Sequence, residues 1–156
     1  MNKKSNLIIG LGVAIMAAVA IFVMFSTGFG ADKELESVRG NVFTIMFGSS
    51  SMGYHPVPGL IVGFALLCAG FFTALVSGFL PGKSSMFGFG ITLILLAVGA
   101  TLFAFAPAMY TSANADIISK SYGESITLGV GLILVMVFGY LGAALSLFGA
   151  YSNLKA

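Results

Sequence analysis

Four uncharged apolar runs constrain this chain more than any other feature of its sequence. Each is at least 19 residues long and contains no Asp, Glu, Lys, Arg or His. A helix that crosses the hydrocarbon core of a bilayer needs about 20 mostly apolar residues. The runs also lack the alternation of apolar and polar residues that is typical of transmembrane β-strands. The runs are Leu7–Phe25, Val57–Leu80, Met86–Ala106 and Ser125–Ala150.

These runs predict an all-α membrane protein in which four transmembrane helices form an antiparallel bundle. The composition agrees, because 58% of the residues are hydrophobic and only 8% are charged, whereas a soluble domain has about a quarter charged residues. We expect a single integral membrane domain over residues 1–156, with external loops at about 26–56 and 107–124.

The first run has two interpretations. Lys3 and Lys4 precede it and the small residues of "STGFGA" follow it, which is the pattern of a secretory signal peptide. The apolar part of a signal peptide is about 7–15 residues long, and this run is longer. The sequence therefore favours a retained signal-anchor helix.

Positive charges at the helix ends predict the orientation of the bundle. Lys3, Lys4, Lys83 and Lys155 lie in short segments on one side, and these segments hold no acidic residue. The loops on the other side hold three basic and five acidic residues. Because Lys and Arg close to helix ends stay in the cytoplasm, we expect both termini to be cytoplasmic and both loops to be external.

The first external loop contains a short apolar segment, "NVFTIMFG" at Asn41–Gly48. It is rich in β-branched and aromatic residues and is bounded by glycines, which favours a strand. It is too short to cross a membrane. The sequence therefore predicts a small extracellular β segment here, or a segment that lies along the membrane interface.

The only histidine, His55, follows Tyr54 and lies directly before the second apolar run, among two prolines. Proline at a helix start costs no hydrogen bond, and tyrosine suits the level of the lipid headgroups. The segment is therefore typical of an interface anchor. Histidine also titrates near neutral pH, so His55 is a candidate pH-sensitive residue.

Small residues recur four positions apart on the predicted helices, which places them on one side of each helix. Such stripes let membrane helices approach closely. Packing within the bundle is the simpler interpretation, and contact with a partner membrane protein or a second copy is the alternative. The candidate partner-contact residues on the fourth helix are Gly139, Gly142, Ala143 and Ser146. Those in the first external loop are Val42, Phe43, Ile45 and Phe47.

The chain lacks residues that ion-coupled transporters and most enzymes need. Such transporters keep ionisable side chains inside the bilayer, and the four runs contain none. One histidine and one cysteine, Cys68, do not supply a zinc site. The acidic cluster of Asp32, Glu34 and Glu36 does not have the spacing of a calcium loop. We expect no catalytic residue, no cofactor, no metal and no nucleic-acid partner.

The layout resembles the claudin-type tetraspan family, with both termini inside, a long first external loop that holds a β-like segment, and a shorter second loop. The family's loop signature of tryptophans and two cysteines has no counterpart here, so the resemblance implies topology alone. The segments "NVFTIMFG", "PGK" and "FAPAMYTSANA" are also similar to those of small tetraspan proteins from low-GC Gram-positive bacteria. That similarity implies a bacterial plasma membrane.

Two functions are compatible with these patterns. The first is a non-enzymatic structural or accessory subunit, which is embedded in the lipid bilayer and binds a membrane-protein partner or a second copy of itself. The alternative is a small oligomeric channel or transporter for a neutral or apolar solute. The candidate pore-lining residues are Thr73, Ser77, Thr92 and Thr101.

Overall fold

The computed structural model of the protein describes residues 3–30, 40–51, 53–116 and 126–154. Within them, four helices are long and apolar enough to cross a membrane, which confirms the predicted all-α four-helix bundle. These helices are α1 (Lys3–Phe22), α3 (Pro58–Phe79), α4 (Gly82–Ala104) and α6 (Val130–Leu154). A short 3-10 helix, Val23–Phe25, extends α1. The shorter elements are β1 (Phe29–Gly30), α2 (Val42–Phe47), α5 (Ala106–Ala113) and β2 (Thr127–Leu128).

The four long helices stand at the corners of a square. α1 packs against α3 and α6, α4 packs against the same two helices, and α1 and α4 face each other across the diagonal. The turn between α3 and α4 lies at one end of the bundle, which we call the turn end. The short helices and the two strands lie at the opposite end, which we call the loop end.

Prolines and a glycine determine where α3 and α4, the two helices of an antiparallel hairpin, begin. Pro58 occupies the first turn of α3, where its missing N–H would have no helical partner. Pro81 caps the start of α4, and Gly82 adopts a positive φ of 48°, which glycine tolerates because it has no Cβ atom. A tight turn therefore joins the second and third membrane helices.

The third membrane helix ends two residues earlier than the predicted boundary at Ala106. Proline in a helix interior removes one backbone hydrogen bond and crowds the preceding turn, and Pro107 lies just beyond this point. The N–H of Phe105 instead bonds to the carbonyl of Leu102 at 3.2 Å in a tighter turn. The chain then continues as α5, so the start of the predicted second loop is helical.

The strand predicted at Asn41–Gly48 is wrong, because this segment forms the helix α2. The side chain of Asn41 accepts a hydrogen bond from the Thr44 N–H at 2.8 Å, which is the usual way an asparagine starts a helix. The buried residues are Val42, Ile45 and Met46, a helical spacing. Capping and burial on one side therefore outweigh the strand preference of the composition. The strand of the first loop is instead β1.

Small residues lie where the long helices come closest. A Cβ atom added to Gly10 in α1 would lie 2.8 Å from the carbonyl oxygen of Ala74 and from the Cα of Gly78 in α3. A Cβ atom added to Gly139 in α6 would lie 2.7 Å from the Cβ of Ala100 in α4. The bundle is thus held by close backbone approach, as expected for helices in lipid.

Candidate interaction surface at the loop end

A short antiparallel pairing joins the first predicted external loop to the first residues of the fourth apolar run, which form β2 before α6 begins at Val130. Phe29 of β1 lies opposite Leu128 of β2, and the Gly129 N–H donates to the carbonyl of Gly28 at 2.9 Å. A Cβ atom on Gly129 would lie 2.7 Å from that same carbonyl oxygen, so only glycine allows this approach. The first loop is therefore fixed against the start of α6.

An aromatic core lies beneath this pairing. The rings of Phe29 and Tyr110 are 5.0 Å apart, both side chains are buried, and the ring of Tyr54 lies 5.8 Å from that of Tyr110. Burial, and to a lesser extent the neighbouring Tyr54, raises the pKa of Tyr110. The loop end therefore has its own packed interior with a neutral phenol, which supports the surface residues around it.

His55 connects the segment before α3 to the segment after α5. Its backbone N–H donates to the Oδ1 of Asn114 at 2.7 Å, and its Nε2 lies 3.3 Å from the Oδ2 of Asp116. The latter contact is an ion pair only when the ring is protonated, and the two side chains are 55% and 67% exposed. The proposed pH sensitivity of His55 stays a prediction, and Asp116 is the charged group that faces it among the described residues.

No local pattern in the sequence indicates this contact, because the paired residues are 61 positions apart. Asn114 is fully buried and also donates from its Nδ2 to the Tyr110 carbonyl at 3.1 Å. It was not among the candidate residues. A buried asparagine just after a helix was the only available hint.

The four candidate contact residues of the first loop lie on different sides of α2. Val42 and Ile45 are buried in the loop-end core, whereas Phe43 is partly buried and Phe47 is 51% exposed. The N–H of Val57 bonds to the carbonyl of Met46 at 2.9 Å, which ties α2 to the start of α3. Of the four, Phe43 and Phe47 lie where a partner has access.

Phe43 and Phe47 belong to a cluster of five aromatic rings, which we call the aromatic ledge. Phe43 lies at the centre, 4.8 Å from the ring of Phe25 and 5.6 Å from that of Phe64. The exposed fractions of Phe22, Phe25 and Phe47 are 73%, 66% and 51%. The ledge is thus a projecting apolar surface formed by the end of α1, by α2 and by α3.

The stripe on α6 is occupied within the chain. A Cβ atom on Gly139 or on Gly142 would meet α4, at Ala100 or at Leu96 respectively. Ala143 and Ser146 are buried, and the hydroxyl of Ser146 donates to the Gly142 carbonyl at 2.9 Å. These four candidates face the bundle interior, which is the simpler of the two interpretations of the stripe. They are therefore not part of the surface that is open to a partner.

The candidate pore residues do not share one face. Thr92 donates to the hydroxyl of Thr73 at 3.0 Å across the contact between α3 and α4, and Ser77 donates to the Thr73 carbonyl at 2.6 Å. Thr101 pairs instead with the Tyr140 hydroxyl at 2.9 Å on the side of α6. Thr92 and Thr101 are nine positions apart, which at about 100° per residue is two and a half turns, so they lie on opposite sides of α4.

A buried polar junction at the turn end was also not predicted from the sequence. Asn153 of α6 donates from Nδ2 to the Oδ1 of Asn6 in α1 at 3.0 Å, and Asn6 donates to the carbonyl of Leu80 at 3.4 Å. Three helices meet here. The Oδ1 of Asn153 is buried and has no hydrogen-bond partner among the described residues.

Within the described ranges, no three His, Cys, Asp or Glu side chains come together as metal ligands. The acidic cluster of Asp32, Glu34 and Glu36 lies outside the described residues.

Comparisons of the chain with protein-family models, with curated proteins and with solved structures find no match. The class of protein is therefore defined by the fold itself: a multi-pass membrane protein with four candidate membrane-spanning helices.

Proposed function

We propose that the protein is a non-enzymatic accessory subunit of the plasma membrane, which binds a membrane-protein partner through the aromatic ledge. The observation that carries this proposal is the exposure of Phe22, Phe25 and Phe47 on a preformed surface. Aromatic side chains are enriched in protein interfaces, and large exposed apolar patches mark sites of protein or membrane interaction.

The rigidity of the ledge supports contact with a protein. α2 is capped by Asn41 and tied to α3 by the bond between Val57 and Met46, so its aromatic side chains project from a fixed backbone. A surface that is already ordered loses little conformational entropy when it binds. The lysine distribution favours an external position for the ledge, where the partner would contact it at the outer edge of the bilayer.

Photo-cross-linking tests the proposal. Phe47 is replaced by p-benzoylphenylalanine in cells, and we expect one discrete protein adduct, which mass spectrometry identifies. Phe72 is the matched control, because it is an exposed phenylalanine on α3 outside the ledge. The adduct at position 47 should disappear when Phe25, the neighbouring ledge residue, is replaced by serine. Adducts to lipid alone, or the same protein adducts from both positions, would contradict the proposal.

A flux measurement separates the accessory function from the alternative of a channel or transporter. We expect purified protein in liposomes to give no saturable flux of neutral solutes above that of protein-free liposomes. The internal bonding of the Thr73, Ser77 and Thr92 hydroxyls supports this expectation, since those of Thr73 and Ser77 donate to carbonyls and that of Thr92 donates to Thr73. Reproducible flux that saturates with solute concentration, and falls in a Thr92→Val variant, would overturn the accessory function.

A further inference from the structure

An apolar groove runs along the outside of the α3–α4 contact at the turn end. Its volume is about 510 Å³. Its walls are exposed side chains of both helices, and its floor is formed by small residues. The walls are Phe72 and Val76 of α3 with Phe87 and Ile91 of α4, and the floor contains Thr73, Ser77 and Gly88.

The groove has the length of part of a lipid chain. Leu80 and Ser84 line its mouth, and Phe72 and Ile91 line its far end. Phe72 and Leu80 are eight positions apart, which corresponds to about 12 Å along a helix and to most of the half-thickness of about 15 Å of the hydrocarbon core. Both helices are membrane-spanning candidates, so the groove opens towards lipid.

The floor of the groove favours an apolar ligand. The hydroxyl of Ser77 donates to the Thr73 carbonyl at 2.6 Å, and that of Thr73 donates to the Gly70 carbonyl at 3.1 Å. A polar solute would therefore find donors that are already used. An acyl chain needs no hydrogen bond and fills the space between the walls by dispersion contact.

A positively charged residue lies next in sequence to the mouth of the groove. Lys83 is exposed and lies next to Ser84 in the first turn of α4. Among the described residues the only ion pair is that of His55 and Asp116, which lies at the loop end. A lysine at a helix end reaches towards the headgroup level, and the first backbone N–H groups of α4 also favour negative charge there.

We infer that the groove binds one anionic phospholipid, with an acyl chain between the walls of α3 and α4 and the phosphate at Lys83. The groove supplies the space for the chain, and Lys83 supplies the preference for negative charge. This site is separate from the aromatic ledge, so the inference does not depend on the proposed binding of a partner protein.

Native mass spectrometry of the full chain in non-ionic detergent tests the site. The protein is offered equal amounts of phosphatidylglycerol and phosphatidylcholine with the same acyl chains. We expect one retained lipid with about a fivefold preference for phosphatidylglycerol, which corresponds to the contribution of one lysine near an anionic surface. Inorganic phosphate at the same concentration should not displace it, because the acyl chain supplies most of the contact.

Two pairs of variants separate the groove from general effects. Lys83→Gln should abolish the preference while lipid is still bound, whereas Lys4→Gln at the same end should keep it. Val76→Trp should fill the groove and reduce retention of both lipids at least fivefold. Val62→Trp is the matched control, because Val62 and Val76 lie on the same helix with 53% and 57% exposure, and only Val76 lines the groove.

Three outcomes would overturn the inference. These are equal retention of the two lipids by the unaltered protein, equal loss of preference in the two lysine variants, and equal retention by the two tryptophan variants. Circular dichroism of each variant is the control for folding. The substituted side chains are all exposed, so the helical content should not change.

Discussion

Replacing Gly10 with valine is expected to lower the free energy of unfolding by about 2–3 kcal/mol, the upper part of the range for overpacked sites. A Cβ atom at this position would lie 2.8 Å from the carbonyl oxygen of Ala74 and 2.8 Å from the Cα of Gly78. Both are backbone atoms of α3, which do not move aside as the end of a flexible side chain does. The α1–α3 contact would have to open along its length.

Gly12, two residues further along α1, supplies the control. No atom lies within 4 Å of a Cβ built there, so Gly12→Val should change stability by less than about 0.5 kcal/mol, as surface substitutions usually do. Unfolding of the purified protein by sodium dodecyl sulfate in mixed micelles, followed by circular dichroism, measures both. Similar losses for the two variants would show that α1 and α3 do not meet at Gly10.

The second large effect is expected from Asn114→Ala at the loop end. The change removes the acceptor of the His55 N–H, which lies 2.7 Å from Oδ1, and the bond that Nδ2 donates to the Tyr110 carbonyl. Because Asn114 is fully buried, the His55 N–H loses its acceptor without gaining water, whereas the Tyr110 carbonyl keeps the bond from the backbone N–H of residue 114. Such losses cost about 1–3 kcal/mol. Hydrogen exchange at His55 and the start of α3 should become faster, whereas exchange in the middle of α4 should not change.

Asp116→Ala is the matched substitution for this site. It removes the other partner of His55, but the pair is largely exposed, and exposed ion pairs contribute at most about 1 kcal/mol. We therefore expect a much smaller change in hydrogen exchange, which added salt should reduce further. If Asp116→Ala accelerated exchange as much as Asn114→Ala, the charge pair and not the buried amide would hold the loop end together.

The membrane helices were predictable because one physical requirement dominates them. A helix in lipid must be apolar over its whole length, and the four runs meet that condition without interruption. The limits of the helices were less predictable, since local backbone chemistry decides them. Pro107 moved the end of α4 and turned the chain into α5, and Asn41 started a helix in a segment whose composition favours a strand.

The candidate surface was predictable only in part. The loop segment of α2 was correctly singled out as apolar, but the helical period that buries Ile45 and exposes Phe47 was not recognised. Phe22 and Phe25 contribute to the aromatic ledge because of where α1 ends relative to α2, and no local sequence pattern predicts that position. Likewise, the contact of His55 with Asp116 joins residues 61 positions apart. Long-range contacts of this kind depend on how the helices pack, and small-residue stripes do not specify which neighbour each one meets.

The pairing of β1 with β2 and of Asn6 with Asn153 has a consequence for biosynthesis. Both contacts join the segment around α1 to the segment around α6, so neither forms until residues 127–153 have been synthesised. Translation adds about 5–20 residues per second, so several seconds pass between the synthesis of α4 and that of α6. During this interval α1, α3 and α4 are present without α6. A ribosome that stalls in this interval leaves the surfaces of α1 and α4 uncovered, and such a fragment would be a target for membrane insertases and quality-control proteases.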